Sequence, residues 1–190
     1  MTIYHIDNLK DIRSRIIMKH LDETDKYSGA VIISCGNAYE SLKTIAGNKR
    51  MILGLSTSQE YDDSIRMENR FYSKEEIKST FPNLFNATSG ALNSNLMWTI
   101  GWEIYRKLGI QDYHDEPLLV PVGSGETLLS LSHVITKEKL RGYTCDAYPH
   151  ITMDYTYLAE ELKQFEIIKI NSLGDINKLV TNEESALITW

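Results

Sequence analysis

The fold of this chain is decided by the stretch VPVGSGET, residues 120–127. Its apolar start continues from Leu118 and predicts a buried parallel strand over 118–122, and residues 128–139 then predict a helix. Glycines between a strand and a helix let the backbone turn its N–H groups toward a ligand, and the helix adds the positive end of its dipole. The stretch therefore predicts a loop that binds a phosphate or a carboxylate, with a plain tight turn as the alternative.

The composition limits the class of protein. The chain has 190 residues, of which 42% are hydrophobic and 24% charged, a balance typical of globular proteins. The formal net charge of −6 argues against a broad nucleic-acid-binding surface. No apolar run approaches the roughly 18 residues that cross a bilayer, and the amino terminus lacks the layout of a signal peptide. We therefore expect a soluble, cytoplasmic protein that binds neither nucleic acid nor membrane.

The cysteines and histidines do not indicate a metal site. Cys35 and Cys145 are too few and too far apart for a disulfide framework or a zinc site. The five histidines also lack the spacing of metal ligands. We therefore expect small buried cysteines, histidines on the surface or on a helix face, and no metal.

Helical and strand patterns alternate on both sides of the loop. The periodicity predicts helices over 11–21, 38–46, 95–108, 128–139 and 155–164, and strands over 30–34, 50–55, 118–122, 141–145 and 165–170. This alternation predicts an α/β fold, an open, mostly parallel twisted sheet with helices on both faces. We expect one compact unit with a smaller lobe over 11–55 and a larger lobe over 95–190. Residues 56–94 would join the lobes or form a lid, and Ser73 starts a capping box there.

A second strand-to-helix corner has the sequence SCGN, residues 34–37. The Ser34 hydroxyl and the Asn37 amide are able to hydrogen-bond a ligand. In the alternative interpretation, Asn37 only caps the following helix. Because the carboxyl ends of parallel strands line one crevice, we expect both corners to face a common ligand.

The order of these motifs resembles the fold type II pyridoxal-phosphate-dependent enzymes, the relatives of threonine synthase, cysteine synthase and the tryptophan synthase β chain. The resemblance spans roughly residues 8–145 and rests on NLKD (8–11), SCGN (34–37), WTIGWEI (98–104) and VPVGSGET (120–127). It implies that Lys10 holds the cofactor as a Schiff base and is the catalytic base. It further implies that the cofactor is bound by Ser34, Asn37, Gly123, Ser124, Gly125 and Thr127, the last four as a phosphate cup.

The resemblance also implies an activity. Pyridoxal phosphate stabilises a carbanion at the α-carbon of an amino acid, which permits elimination or replacement at the β- or γ-carbon. The implied protein is a lyase or synthase of amino-acid metabolism that acts on a small amino acid. Relative to the family, the chain is expected to be shortened at both ends, so we expect a homodimer or a partner subunit that completes the smaller lobe. Ser185 is a faint counterpart of the family's contact to the ring nitrogen, and the start of a solvated helix is the alternative.

The expected shortening and a shifted arginine leave a second function open, and Glu126 is a further departure from the family pattern. Arg13 comes one position later than in the family's Lys-x-Arg pattern, and Glu126 stands where a small residue is common. A carboxylate repels a phosphate beside it, so Glu126 is compatible with a phosphate dianion only if it points to solvent. The alternative is a catalytically degenerate relative that binds a phosphorylated metabolite or assembles with other subunits.

Overall fold

The computed structural model describes residues 3–33, 36–56, 64–66, 73–109, 117–145, 158–172, 175 and 185–189. In chain order the elements are β1 (Ile3–Ile6), α1 (Leu9–Thr24), β2 (Gly29–Ile33), α2 (Asn37–Ala46), β3 (Met51–Ser56), β4 (Ser64–Arg66), α3 (Lys74–Thr80), β5 (Leu84–Asn86), α4 (Ser94–Leu108), β6 (Leu118–Pro121), α5 (Glu126–Leu131), a 3₁₀ turn (Lys137–Lys139), β7 (Leu140–Cys145), α6 (Ala159–Leu162), β8 (Ile167–Ile170) and β9 (Ser185–Thr189). The chain divides into two compact units. The first, called the lysine unit, is Lys10–Asn93; the second, called the loop unit, is Met1–Leu9 with Ser94–Trp190.

The lysine unit is built on a four-stranded sheet in the order β4-β3-β2-β5. All of its described strand pairs are parallel. Strand β2 lies in the interior of the sheet, and Ala30, Val31 and Ile32 are almost fully buried there. The helix α2 packs on β3 through Tyr39. Its ring lies 3.0 Å from the position that a Cβ atom at Gly54 would occupy. A continuous β-branched run thus forms the central strand, as expected for a parallel sheet covered by helices.

The loop unit is built on a five-stranded sheet in the order β1-β9-β6-β7-β8. All of its described strand pairs are also parallel, with β6 between β9 and β7. The helices α4 and α5 approach each other closely at Gly101, where a Cβ atom would lie 2.0 Å from the Ser130 carbonyl oxygen. Only glycine permits this approach, which fixes α5 and therefore the end of the loop before it.

The predicted α/β fold class is confirmed, because parallel sheets and helices alternate along the chain. The capping box at Ser73 is confirmed as well, since the Ser73 side chain accepts from the Glu76 N–H and the Glu76 carboxylate accepts from the Ser73 N–H. No helix in the described part of the chain is both long and apolar enough to cross a bilayer.

Some predicted bounds are wrong. The helix predicted over 128–139 begins at Glu126 and ends at Leu131. The Ser132 hydroxyl donates to the Leu129 carbonyl at 2.8 Å, and the residues that follow form turns. Hydroxyl residues that bond to nearby backbone compete with helix formation, and this competition limits the helix.

The carboxyl-terminal part differs from the prediction too. Ser185 begins strand β9, which pairs with β1 and β6, so the helix start considered for it is wrong. The helix predicted over 155–164 is described only as α6, Ala159–Leu162, and residues 155–157 lie outside the described ranges.

Candidate functional site

Lys10 lies in the first turn of α1. The helix begins at Leu9, directly after Asn8, which has a positive φ of 58°. Asparagine adopts this left-handed conformation more readily than most residues, so the chain turns sharply before the lysine. The turn brings a half-buried Lys10 to the amino end of the helix.

Asn37 is the first residue of α2 and is exposed. Gly36 is the N-cap, with a φ of 120°, and no side chain caps the helix. The Gly36 carbonyl accepts from the N–H groups of Tyr39 and Glu40 at 2.9 and 3.1 Å. The interpretation of Asn37 as a helix cap is therefore wrong, and its amide is not used for that purpose. Ser34, the other candidate of this corner, lies outside the described residues.

The helices α1 and α2 meet through hydroxyl and carboxylate groups. Ser41 Oγ lies 2.7 Å from Asp11 Oδ1 and 3.0 Å from Ser14 Oγ. The short segment 25–28 reverses the chain between α1 and β2, and α2 leads from β2 to the parallel strand β3. Both helices therefore run opposite to β2 and parallel to each other.

Lys10 and Asn37 both lie near this contact along their helices. Ser14 follows Lys10 by four residues, and Ser41 follows Asn37 by four residues, which is about one turn of a helix. Moving one turn back from the contact between Ser14 and Ser41 leads to Lys10 on one helix and Asn37 on the other. The two candidate residues thus lie in the first turns of the two helices, one turn before their contact.

Arg13 has a structural role in the same unit. Its side chain is buried, and its Nη2 group donates to the Ala87 carbonyl oxygen. An arginine is rarely buried without a partner, and here the carbonyl oxygen supplies one. The guanidinium thus joins α1 to the segment that follows β5.

In the loop unit, the candidate phosphate loop has the backbone shape that glycine allows. Gly125 has a φ of 85°, and a Cβ atom there would lie 2.4 Å from the Leu162 side chain. Around Gly123, no heavy atom lies within 4 Å of the position of an added Cβ. Ser124 is exposed and Thr127 half-buried. One side of the loop is therefore packed on α6, and Gly123 faces open space.

The loop also has backbone donors for an anion. Within the described ranges, none of the backbone hydrogen bonds outside helices and strands uses the N–H of Gly123, Ser124 or Gly125. The Leu129 N–H donates to the Gly125 carbonyl at 3.0 Å and closes the first turn of α5. Successive amide groups of this kind fit an anionic ligand.

Glu126, at the end of the loop, is buried. It directly follows these donors, and its side chain is only 6% exposed. The carboxylate therefore does not point to solvent, the orientation expected for it beside a bound phosphate. A negative charge on this carboxylate would disfavour a doubly charged anion at the loop, since charges repel more strongly where water is excluded. Sequence reasoning identified the position but could not establish its burial.

The described residues contain no group of three or more His, Cys, Asp or Glu side chains that could hold a metal ion. Among the histidines, His5 forms an exposed pair with Asp7, with Nε2 2.8 Å from Oδ1. For Ser185, the strand β9 gives the backbone position alone. Neither residue is joined to Lys10 or to the loop by a described contact.

Comparison with known proteins supports the fold. The sequence matches no protein-family model and no curated protein. Among solved structures, O-ureido-L-serine synthase matches with a TM-score of 0.59 and 10% identity, over 95% of this chain and 78% of that one. A hydrogen sulfide-producing enzyme, complexed with an α-aminoacrylate intermediate, matches with a TM-score of 0.58 and 13% identity, over 95% and 75%. Threonine deaminase isoform 2 of Solanum lycopersicum matches with a TM-score of 0.58 and 12% identity, over 98% and 78%.

These identities are too low to transfer an activity, but each match extends over nearly the whole of this chain. The resemblance drawn from the sequence motifs is thereby confirmed at the level of the fold. The chain has the fold of the fold type II pyridoxal-phosphate-dependent enzymes.

Proposed function

We propose that this protein is a pyridoxal-phosphate-dependent lyase or synthase that acts on a small amino acid by elimination or replacement at the β- or γ-carbon. The observation that supports the proposal is that Lys10 and Asn37 lie in the first turns of α1 and α2, each about one turn before the contact of the two helices. The fold adds support, since the similar structures include a synthase of a serine derivative and a threonine deaminase.

Each candidate residue has a chemical task in this proposal. Bound pyridoxal phosphate would supply an electron sink for negative charge at the substrate's α-carbon. The Lys10 amine would bond the cofactor and later carry a proton, since a lysine in a partly buried setting is able to serve as both nucleophile and base. The Asn37 amide would donate a hydrogen bond to the ring oxygen. We further propose that Ser34 contacts the cofactor and that Gly123, Ser124, Gly125 and Thr127 bind its phosphate.

A titration with pyridoxal phosphate tests the proposal. The absorbance of the cofactor should change on binding as its aldehyde reacts with the Lys10 amine. The change should disappear in Lys10→Ala and persist in Lys19→Ala, whose exposed lysine lies on the same helix. A wild type without an absorbance change, or a change that survives in Lys10→Ala, would overturn the proposed function.

Arg13, one position later than in the family pattern and bonded to the Ala87 carbonyl, favours a second candidate function. In that case the chain retains the scaffold without the chemistry, and it binds another metabolite or assembles with other subunits. Thermal shift distinguishes the two, because a ligand stabilises the folded state in proportion to its affinity and concentration. Stabilisation by pyridoxal phosphate supports the enzyme, whereas stabilisation by other phosphorylated metabolites alone supports the second function. The homodimer and the cytoplasmic location stay predictions, to be checked by light scattering and cell fractionation.

A further inference from the structure

A chain of three hydrogen-bonded side chains joins α1 to α2. Ser41 Oγ is 2.7 Å from Asp11 Oδ1 and 3.0 Å from Ser14 Oγ. A hydroxyl group has a single proton to donate, and bonds to a carboxylate are the stronger ones. Ser41 therefore donates to Asp11, and Ser14 donates to Ser41.

The surroundings of these three side chains favour one specific arrangement of their hydrogen bonds. Ser14 is fully buried, and Asp11 and Ser41 are half-buried. On α1, Asp11 and Ser14 are three residues apart and share one face of the helix. That face meets Ser41 of α2. A buried hydroxyl that loses its partner is costly, so these bonds favour one relative position of the two helices.

We propose that Ser14, Ser41 and Asp11 are positioning residues that hold Lys10 opposite Asn37. Each of the two candidate residues lies four positions before one of the hydroxyl groups, about one helical turn. A shift of the helices at the hydroxyl contact would therefore displace Lys10 relative to Asn37. The inference rests on the proposed function, because the position of Lys10 matters only if its amine reacts.

The side chain of residue 41 offers a matched pair of variants. Threonine and valine have nearly the same shape, but only threonine keeps the hydroxyl. In the intact protein, absorbance measures the formation of the covalent adduct between pyridoxal phosphate and Lys10. In parallel, acetylation of Lys10 by acetic anhydride is measured by mass spectrometry relative to Lys19, an exposed lysine on the same helix.

We expect Ser41→Thr to react like the wild type. Ser41→Val should form the adduct at least about tenfold more slowly, because small misplacements of a reacting group lower its rate steeply. The ratio of Lys10 to Lys19 acetylation should change in the valine variant and not in the threonine variant. Recovery by threonine separates the role of the hydroxyl from a general effect of residue volume.

The two readouts separate the positioning role from the proposed function. If the acetylation ratio is the same in the wild type and in both variants, the positioning role is contradicted. If the wild type forms no adduct at Lys10, the proposed function is contradicted, and the acetylation ratio still decides on positioning. If Ser41→Val does not fold, Ser14→Ala takes its place. This variant removes the buried Ser14 hydroxyl, and the same change in the ratio of Lys10 to Lys19 acetylation is expected.

Discussion

The lysine unit and the loop unit differ in how well their candidate residues suit a phosphorylated cofactor. In the lysine unit, Lys10 and Asn37 lie in the first turns of two helices that are joined by hydrogen bonds of 2.7 and 3.0 Å. In the loop unit, the glycine-rich loop has the shape and the donors for an anion, but Glu126 beside it is only 6% exposed. The reactivity of the lysine and the affinity for phosphate are therefore separate properties, and each is open to change on its own.

The largest expected effect comes from Gly101 in the loop unit. A methyl group in Gly101→Ala would meet the Ser130 carbonyl oxygen at 2.0 Å, so α4 and α5 would have to separate. We expect a loss of about 3 kcal/mol in the free energy of unfolding, the upper range for overpacked cores. Denaturant unfolding measures it. Gly123→Ala, with no atom within 4 Å of the new methyl group, is the control and should stay near the wild type.

Substitution of Arg13 tests the stability of the lysine unit, again by denaturant unfolding. In Arg13→Met the buried Ala87 carbonyl loses its charged donor. We expect a loss of about 2 kcal/mol, the usual range for a hydrogen bond to a charged group. Arg15→Met, on the exposed face of α1, is the matched control. Equal unfolding free energies for the two variants would show that the buried arginine does not support this unit.

Glu126 tests the difference between the units directly. Glu126→Gln keeps the size of the side chain and removes its charge. We expect at least about tenfold tighter binding of inorganic phosphate and of pyridoxal phosphate, because a like charge nearby strongly disfavours an anion. Isothermal titration calorimetry measures both affinities. Glu138→Gln, at an exposed position of the same unit, is the control and should leave both affinities unchanged. Unchanged affinities in Glu126→Gln would show that the Glu126 carboxylate does not act on the loop.

The smallest effect is expected at α3 of the lysine unit. Ser73→Ala removes the capping box, in which the Ser73 side chain accepts from Glu76 N–H at 3.1 Å. We expect a loss of about 1 kcal/mol, typical of a helix cap, with no effect on adduct formation at Lys10. Ser79→Ala removes a hydroxyl from the same helix outside the cap and should have less effect on thermal unfolding. A slower adduct would show that α3 contributes to the position of the lysine.

The parts of the fold that follow from local sequence were predictable. The β-branched run of β2 and the apolar run of β6 are strong local signals, and each is followed by glycine and a helix. Strands β1 and β9 were not predicted. They pair with each other from opposite ends of the chain, with Ile3 beside Ala186, and such long-range pairing leaves no local pattern.

The candidate residues divide in the same way, into features that local sequence predicts and features that depend on distant contacts. Lys10 and Asn37 are candidates from a motif, and their helices were predicted over 11–21 and 38–46, whereas the structure has Leu9–Thr24 and Asn37–Ala46. The burial of Arg13 depends on a carbonyl group 74 residues away, and the contact of Ser41 with Asp11 spans 30 residues. The burial of Glu126 likewise depends on tertiary packing. None of these three features has a signature in the sequence around the residue.

The central claim is that Lys10 bonds the cofactor. It is tested most directly by reducing a mixture of the protein and pyridoxal phosphate with borohydride and mapping the modified peptide by mass spectrometry. We predict one pyridoxyl group per chain, on Lys10. An unmodified Lys10, or modification spread over exposed lysines such as Lys19 and Lys43, would contradict the account.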